Sequence, residues 1–156
     1  MQSTETKYDV VIVGGGPGGL AAAKGAREAG AKSVLVLERD DRLGGILPQC
    51  VHDGFGLVHY REALTGPEYA RRAREEAEQA GAELKTGAMV TGLTKERVVT
   101  AVTREGLLTC RAGAVVLATG CRERTRGAIA IPGTRPAGVY TAGAAQNLLN
   151  TKNLMV

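Results

Sequence analysis

Three glycines and one acid carry the first chemical signal in this chain. Gly14, Gly16 and Gly19 form a Gly-x-Gly-x-x-Gly run directly after the apolar stretch Val10 to Val13, and Glu38 closes a second apolar run, Val34 to Leu37. Gly14 permits a tight turn off a strand, Gly16 lets the backbone approach a pyrophosphate, and Gly19 lets a helix lie close to a sheet. Pro17 suits the first helical turn, where its missing N–H removes nothing and its φ is already helical. With Gly18 beside it, that turn presents bare N–H groups to phosphates, with the helix dipole behind them. Glu38 lies 19 residues beyond Gly19, where a carboxylate accepts hydrogen bonds from a ribose. Ala23 and Gly30 fall where such a unit wants a small packing residue and a helix stop. Glycine-rich turns are common in α/β proteins, but strand, turn, helix and acid in this order read as a βαβ dinucleotide-binding unit.

The identity of the dinucleotide rests on residues further along. Ala114 to Gly120 reads AVVLATG, an apolar strand ending in Ala118, Thr119 and Gly120. Between the two motifs lie strand-like runs at Leu84 to Leu93, Val98 to Thr103 and Leu107 to Arg111, with Arg104-Glu105-Gly106 as a hairpin turn between the last two. This combination resembles the FAD-dependent pyridine nucleotide-disulfide oxidoreductase superfamily, whose members have two dinucleotide-binding domains. The resemblance covers nearly the whole chain. It implies an α/β, Rossmann-like FAD/NAD(P)-binding domain with a parallel sheet and an inserted three-stranded β-meander. It also implies FAD as cofactor, with the pyrophosphate over Gly14 to Gly19 and the adenosine ribose on Glu38. Arg39 would cover the adenine and the Val90 backbone would meet its edge. Gly45 would pass close to the phosphates or ribitol, and Ala118, Thr119 and Gly120 would close the near side.

Leu43-Gly44-Gly45 follows Glu38 as a double glycine follows the ribose acid in the glutathione and lipoamide reductases. In those enzymes two cysteines come next; an ungapped count puts Leu47 and His52 at their positions, so that dithiol is missing. A single cysteine, Cys50, lies in the segment instead. The stretch GGILPQCVHDGFG, with LTGPEYARR from Leu64 to Arg72, looks more like the flavoprotein subunits that accompany glycerol-3-phosphate dehydrogenase-type or sarcosine/amine oxidase-type partners. In this reading Cys50 and His52 share the loop that passes the flavin's reacting ring. His52 would move a proton and Cys50 would act as a thiolate. The plain alternative is a polar loop in which neither reacts. His59 reads as structural or exposed, and Cys110 and Cys121 as small buried residues.

The elements that must position these residues follow from the pattern. Gly54 to Gly66 is a glycine-punctuated connection holding the apolar pair Leu57 and Val58. A helix is predicted over Pro67 to Ala80, with Gly81 just past its end and a thin apolar face of Ala70, Ala73, Ala77 and Ala80. A further parallel strand is expected to begin near Glu83. With 156 residues, 44% of them hydrophobic, the chain supports one domain with a real core. Its net charge of +4 comes from arginines interleaved with glutamates and no aromatic platform, which argues against nucleic acid. The first residues carry no apolar run of the signal-peptide kind, and no segment approaches the length of a membrane span. Three cysteines without metal-ligand spacing suggest no metal site and a reducing cytoplasm.

No second Gly-x-Gly-x-x-Gly and no later strand ending in Gly-Asp is present. Residues 1–156 are therefore expected to be the N-terminal part of an FAD-binding domain. Its C-terminal half, and the nicotinamide domain that would bring NAD(P), would lie elsewhere. The function implied is an FAD-dependent oxidoreductase moving electrons between NAD(P)H and a small substrate or a partner dehydrogenase or oxidase subunit. Two alternatives stay open: a thioredoxin-reductase-like enzyme whose dithiol lies in the absent half, and a non-catalytic dinucleotide-binding module.

Overall fold

The computed structural model describes residues 5–155. Its elements run β1 (Glu5–Val13), α1 (Pro17–Glu28), β2 (Val34–Leu37), a short 3-10 turn (Leu47–Gln49) and α2 (Gly66–Gln79). Then come β3 (Glu83–Lys85), β4 (Met89–Leu93), β5 (Val98–Thr103), β6 (Gly106–Leu117) and α3 (Ala142–Lys152). All six strands share one sheet in the order β3-β2-β1-β6-β5-β4. The pairs β3–β2, β2–β1 and β1–β6 are parallel, whereas β6–β5 and β5–β4 are antiparallel.

The alternation of β1 and β2 builds two cores. Ile12, Val34 and Val36 face the helices and pack on Leu20 and Ala23 of α1 and on Ala73 and Ala77 of α2. Val11, Leu35 and Leu37 face the other way and pack on Val99 and Ala101 of β5 and on Cys110 and Ala112 of β6. The parallel strands are thus covered on both faces, so β2 reads as a continuous apolar run. Three of the four expected alanines, Ala70, Ala73 and Ala77, are buried on α2 and let it lie close to α1 and the 3-10 turn, whereas Ala80 is half-buried just past the helix end. Thr65 and Glu68 form a reciprocal capping box at its start, one residue ahead of the expected bound.

The α/β class, the parallel sheet and the three-stranded meander are as the sequence implies. Two boundaries differ. The apolar run Leu84 to Leu93 is two strands: β3 finishes the parallel sheet, the chain turns at Gly87, and β4 opens the meander. The runs at Leu107 to Arg111 and Ala114 to Gly120 are one strand, β6, which pairs with β5 through its first half and with β1 along nearly its whole length. Gly113 makes this possible, because a Cβ there would press on the Asp9 carbonyl oxygen at 2.8 Å. α3 was not legible beforehand, since it has no buried residue and hence no apolar period.

Gly19 and Gly18 are adjacent in α1 but differ in surroundings. A Cβ on Gly19 would run into the Gly14 carbonyl oxygen, whereas one on Gly18 would meet nothing within 4 Å. Gly19→Ala is expected to cost about 1–3 kcal/mol through overpacking, and Gly18→Ala to stay within about 1 kcal/mol of the parent. Urea unfolding of the two variants checks this, and equal stabilities would contradict the packing.

Candidate dinucleotide-binding site

β1 lies between β2, reached through α1, and β6, reached from the far side, so the chain reverses its direction of travel across the sheet at β1. Such a switch point leaves a crevice at the carboxyl ends of the strands. The loop Gly14 to Gly16 is fastened there on both sides. The Gly14 N–H donates to the Leu37 carbonyl at 2.9 Å, and the Ala118 N–H donates to the Val13 carbonyl at 2.8 Å. Gly14 has a φ of +108°, and a Cβ on it would strike the Ala118 carbonyl. Only glycine serves at that position.

No side chain caps the start of α1, where Pro17 occupies the first turn. Gly16 is extended, and a Cβ on it would point at Gly45, whose Cα would stand 3.7 Å away. Gly45, with a φ of +58°, brings its backbone to that place from the loop after β2. Two glycine loops thus face each other beside an uncapped helix start, a cradle that side chains would fill. These features fit the pyrophosphate of a dinucleotide.

Glu38 is the acid of this cradle and is only 7% exposed. One carboxylate oxygen accepts from the Gly15 N–H at 2.7 Å, and the other from the Asp40 N–H at 2.9 Å. Its backbone bonds to Lys85 and Ala88, and the Asp40 carbonyl accepts from Gly87. The loop entering β4 is therefore tied to the acid, and Val90 stands two residues past that tie, half-buried against the meander-side core. Arg39 is exposed with its Nε 3.9 Å from Asp40. Thr119 and Gly120 are exposed just beyond β6. The structure thus brings Gly14, Gly16, Pro17, Gly18, Gly19, Glu38, Gly45 and Ala118 into one place, with Arg39, Val90, Thr119 and Gly120 at its margins.

Cys50 and His52 take their partners from their own surroundings. The Cys50 thiol donates to the Ile46 carbonyl at 3.6 Å, and its carbonyl accepts from the Gly66 N–H at 2.9 Å. His52 is exposed, its ring centroid 5.2 Å from that of Phe55 and its Nδ1 3.0 Å from the Asp53 carbonyl oxygen. Cys110 is buried as expected, but Cys121 is exposed, because β6 ends at Leu117 and nothing packs over the loop beyond it.

The sequence reading missed three features. Gly66 seats α2 on the Cys50 loop, where a Cβ would press on backbone oxygens of Leu47 and Cys50; its Thr-Gly-Pro context was the available signal. Gln49, a buried amide, gave none. His59, Tyr60 and Tyr69 stack edge to face beside α1, and they line a cavity of about 240 Å³ with Lys24 and Glu76. Burial, and then the Glu76 carboxylate beside it, push the Tyr60 hydroxyl up to about 12. On the outer face of α2, Arg71 and Arg74 pair with Glu75 and Glu78, and Arg72 reaches Glu62. That is a mixed-charge surface.

Comparison with known proteins decides the family. Residues 12–79 match the model of the NAD(P)-binding Rossmann-like domain. The chain is 36% identical to an opine oxidase subunit of Rhizobium meliloti, over 95% of its own length and 29% of that protein's. It is 32% identical to thioredoxin reductase of Treponema pallidum (strain Nichols), over 83% of this chain and 39% of that one. The chain belongs to the FAD-dependent pyridine nucleotide-disulfide oxidoreductase superfamily. The fold agrees: L-proline dehydrogenase from P. horikoshii superimposes with a TM-score of 0.78 at 22% identity, over 99% of this chain and 30% of that one. The chain spans under a third of the length of the opine oxidase protein. Among the described residues no helix is long and apolar enough to cross a membrane.

Glu38 braces the loop as well as facing the crevice, so its removal acts even without nucleotide. Glu38→Ala leaves the Gly15 and Asp40 N–H groups without an acceptor and is expected to cost about 2–4 kcal/mol. Urea unfolding of the nucleotide-free variant measures this. A loss below about 0.5 kcal/mol, the scatter of ordinary surface substitutions, would contradict the bracing role.

Proposed function

We propose that these residues form the FAD-binding part of a flavin-dependent oxidoreductase. In this reading the protein transfers electrons between NAD(P)H and a small substrate or partner subunit. The observation that carries it is the pairing of a buried, loop-bracing acid with two glycine loops at an uncapped helix start. A dinucleotide satisfies all three: its pyrophosphate meets the N–H groups of α1, and its ribose hydroxyls meet the lone pairs Glu38 has left. Arg39 lies over the adenine, the Val90 backbone meets its edge, and Ala118, Thr119 and Gly120 close the side next to β6.

FAD, when bound, supplies the hydride and electron chemistry. The chain's own residues orient and shield it. Gly45 gives its backbone to the phosphates or ribitol, and the loop that follows carries Cys50 and His52 toward the reactive end. With its proton on Nδ1, donated to the Asp53 carbonyl, His52 keeps Nε2 to exchange a proton with substrate. Cys50 lines the same loop, its thiol turned to the Ile46 carbonyl. NAD(P) docks through a further domain of the full-length protein. The naming of relatives as subunits of oxidases supports a partner subunit. Three free cysteines among the described residues suit a reducing cytoplasm.

The likeness to thioredoxin reductases favours a second reading, a thiol enzyme whose dithiol lies outside these residues. Cys50, Cys110 and Cys121 are too far apart in sequence to form a Cys-x-x-Cys pair.

The test is an absorbance spectrum and FAD titration of the chain and of Gly16→Val. Gly16 has an ordinary φ of −74°, and a Cβ there would meet the Gly45 Cα at 3.7 Å, so the valine side chain fills the pyrophosphate's path; urea unfolding of the nucleotide-free variant separates this from any loss of fold. Oxidised-flavin bands in the parent and none in the variant are expected. Equal flavin occupancy in both would overturn the placement of the cofactor.

A further inference from the structure

α3 has no buried residue and leaves Leu149 exposed, yet it is seated on the domain. What seats it is polar. Gln49, 8% exposed, lies under the helix at the end of the 3-10 turn. Its Nε2 donates to the Gln146 side-chain oxygen at 2.9 Å and toward the Gly143 carbonyl at 3.4 Å. Its Oε1 accepts from Asn147 Nδ2 at 3.0 Å, and its main-chain oxygen accepts from Asn150 Nδ2 at 2.8 Å. One buried residue thus engages four positions of α3, three through its side-chain amide and one through its main-chain oxygen. Glu123 meets the other end of the helix, accepting from the Gly143 N–H at 3.0 Å and from the Thr141 hydroxyl.

Beside this contact lies a second cavity, of about 220 Å³ and polar in character. α3 supplies Asn147, Thr151 and Lys152 to one wall; Asp40, Arg42 and Gly45 stand among the residues of the other. Gly45 is the glycine that faces Gly16, and Asp40 is the residue whose N–H Glu38 holds. The cavity therefore adjoins the cradle, and its helical wall offers an amide, a hydroxyl and an ammonium.

We propose that α3 is the closing wall of the dinucleotide cradle. Gln49 is the positioning residue that seats it, while Asn147 and Lys152 donate to phosphate or ribose oxygens of the bound dinucleotide, and the Thr151 hydroxyl, whose proton goes to the Asn147 carbonyl at 2.7 Å, accepts from a ribose hydroxyl. This rests on the dinucleotide reading above and adds binding residues to it. The physical reason is a balance. A helix held by polar contacts with little apolar burial docks with a small free-energy margin, so a ligand touching both walls shifts it toward the docked state. Lys152 adds a charge-assisted contact that an apolar substitution removes without disturbing the fold, because its side chain lies at the exposed end of the helix.

Hydrogen exchange of the 156-residue chain, with and without FAD, tests this alongside quenching of flavin fluorescence. FAD is expected to slow exchange over residues 144–152 by about tenfold and to do so less in Gln49→Leu. Asn150→Ala repeats the test without touching a buried residue. Lys152→Met is expected to weaken FAD binding by about tenfold while leaving exchange of α3 without FAD unchanged. Quenching by the parent chain with no change in α3, or full affinity in Lys152→Met, overturns this proposal and leaves the dinucleotide reading standing. No quenching by the parent chain takes down both.

Discussion

The Glu38 carboxylate is the interaction on which the site depends. Burying a charge is costly unless hydrogen bonds replace the lost water. Here the Gly15 and Asp40 N–H groups do so, one oxygen each. Through its main chain the same residue bonds to Lys85 at the end of β3 and to Ala88 before β4. One residue thus joins the glycine loop, the end of β2, the edge of the parallel sheet and the start of the meander. The acid that would read a ribose is also the reason the loop has its shape. Binding and folding share a residue, and a change there acts on both.

β6 imposes the second constraint. Twelve residues long, it runs parallel to β1 and antiparallel to β5, so the meander extends the sheet that carries the glycine loop. The meander then folds back over the sheet face opposite the helices, and Val99 and Ala101 reach Val11, Leu35 and Leu37. The carboxyl end of β1 is thereby held between layers that share a strand. Gly113 makes this possible, since a Cβ there would press on the Asp9 carbonyl oxygen of β1.

Much of this was legible because it is local. The glycine spacing, the Val34 to Leu37 run, the acid after it and the alanine stripe of α2 each follow from a short-range rule, and the resemblance placed the meander. The joins were harder to read. Whether Leu84 to Leu93 is one strand or two depends on Gly87 having a φ of +63° and on its N–H finding Asp40. That pairing is far away in sequence. β6 hid its continuity behind Arg111 and Gly113, which look like a break in an apolar pattern. α3 and Gln49 were invisible for another reason: amide-to-amide docking has no periodic signature, and glutamine in a loop looks like any polar residue.

The two halves of the site are held by different physics. Around the glycine loop, Gly14 meets the Ala118 backbone, the Glu38 carboxylate takes the Gly15 N–H, and Gly87 and Ala88 bond to the acid's strand end. At Gly14 and Gly15 such contacts resist deformation, because an added Cβ would collide. The loop after β2 is keyed to α2. Gly44 sits so close to Ala70 that a Cβ would come within 2.7 Å, and Gly66 lies beneath the Cys50 carbonyl. Along this segment Ile46 and Val51 are exposed, and Val58 is 96% exposed. A dinucleotide anchored at the rigid end would therefore reach chemistry through a segment whose backbone is fixed at Gly44 and Gly66 and whose side chains are free to meet another surface.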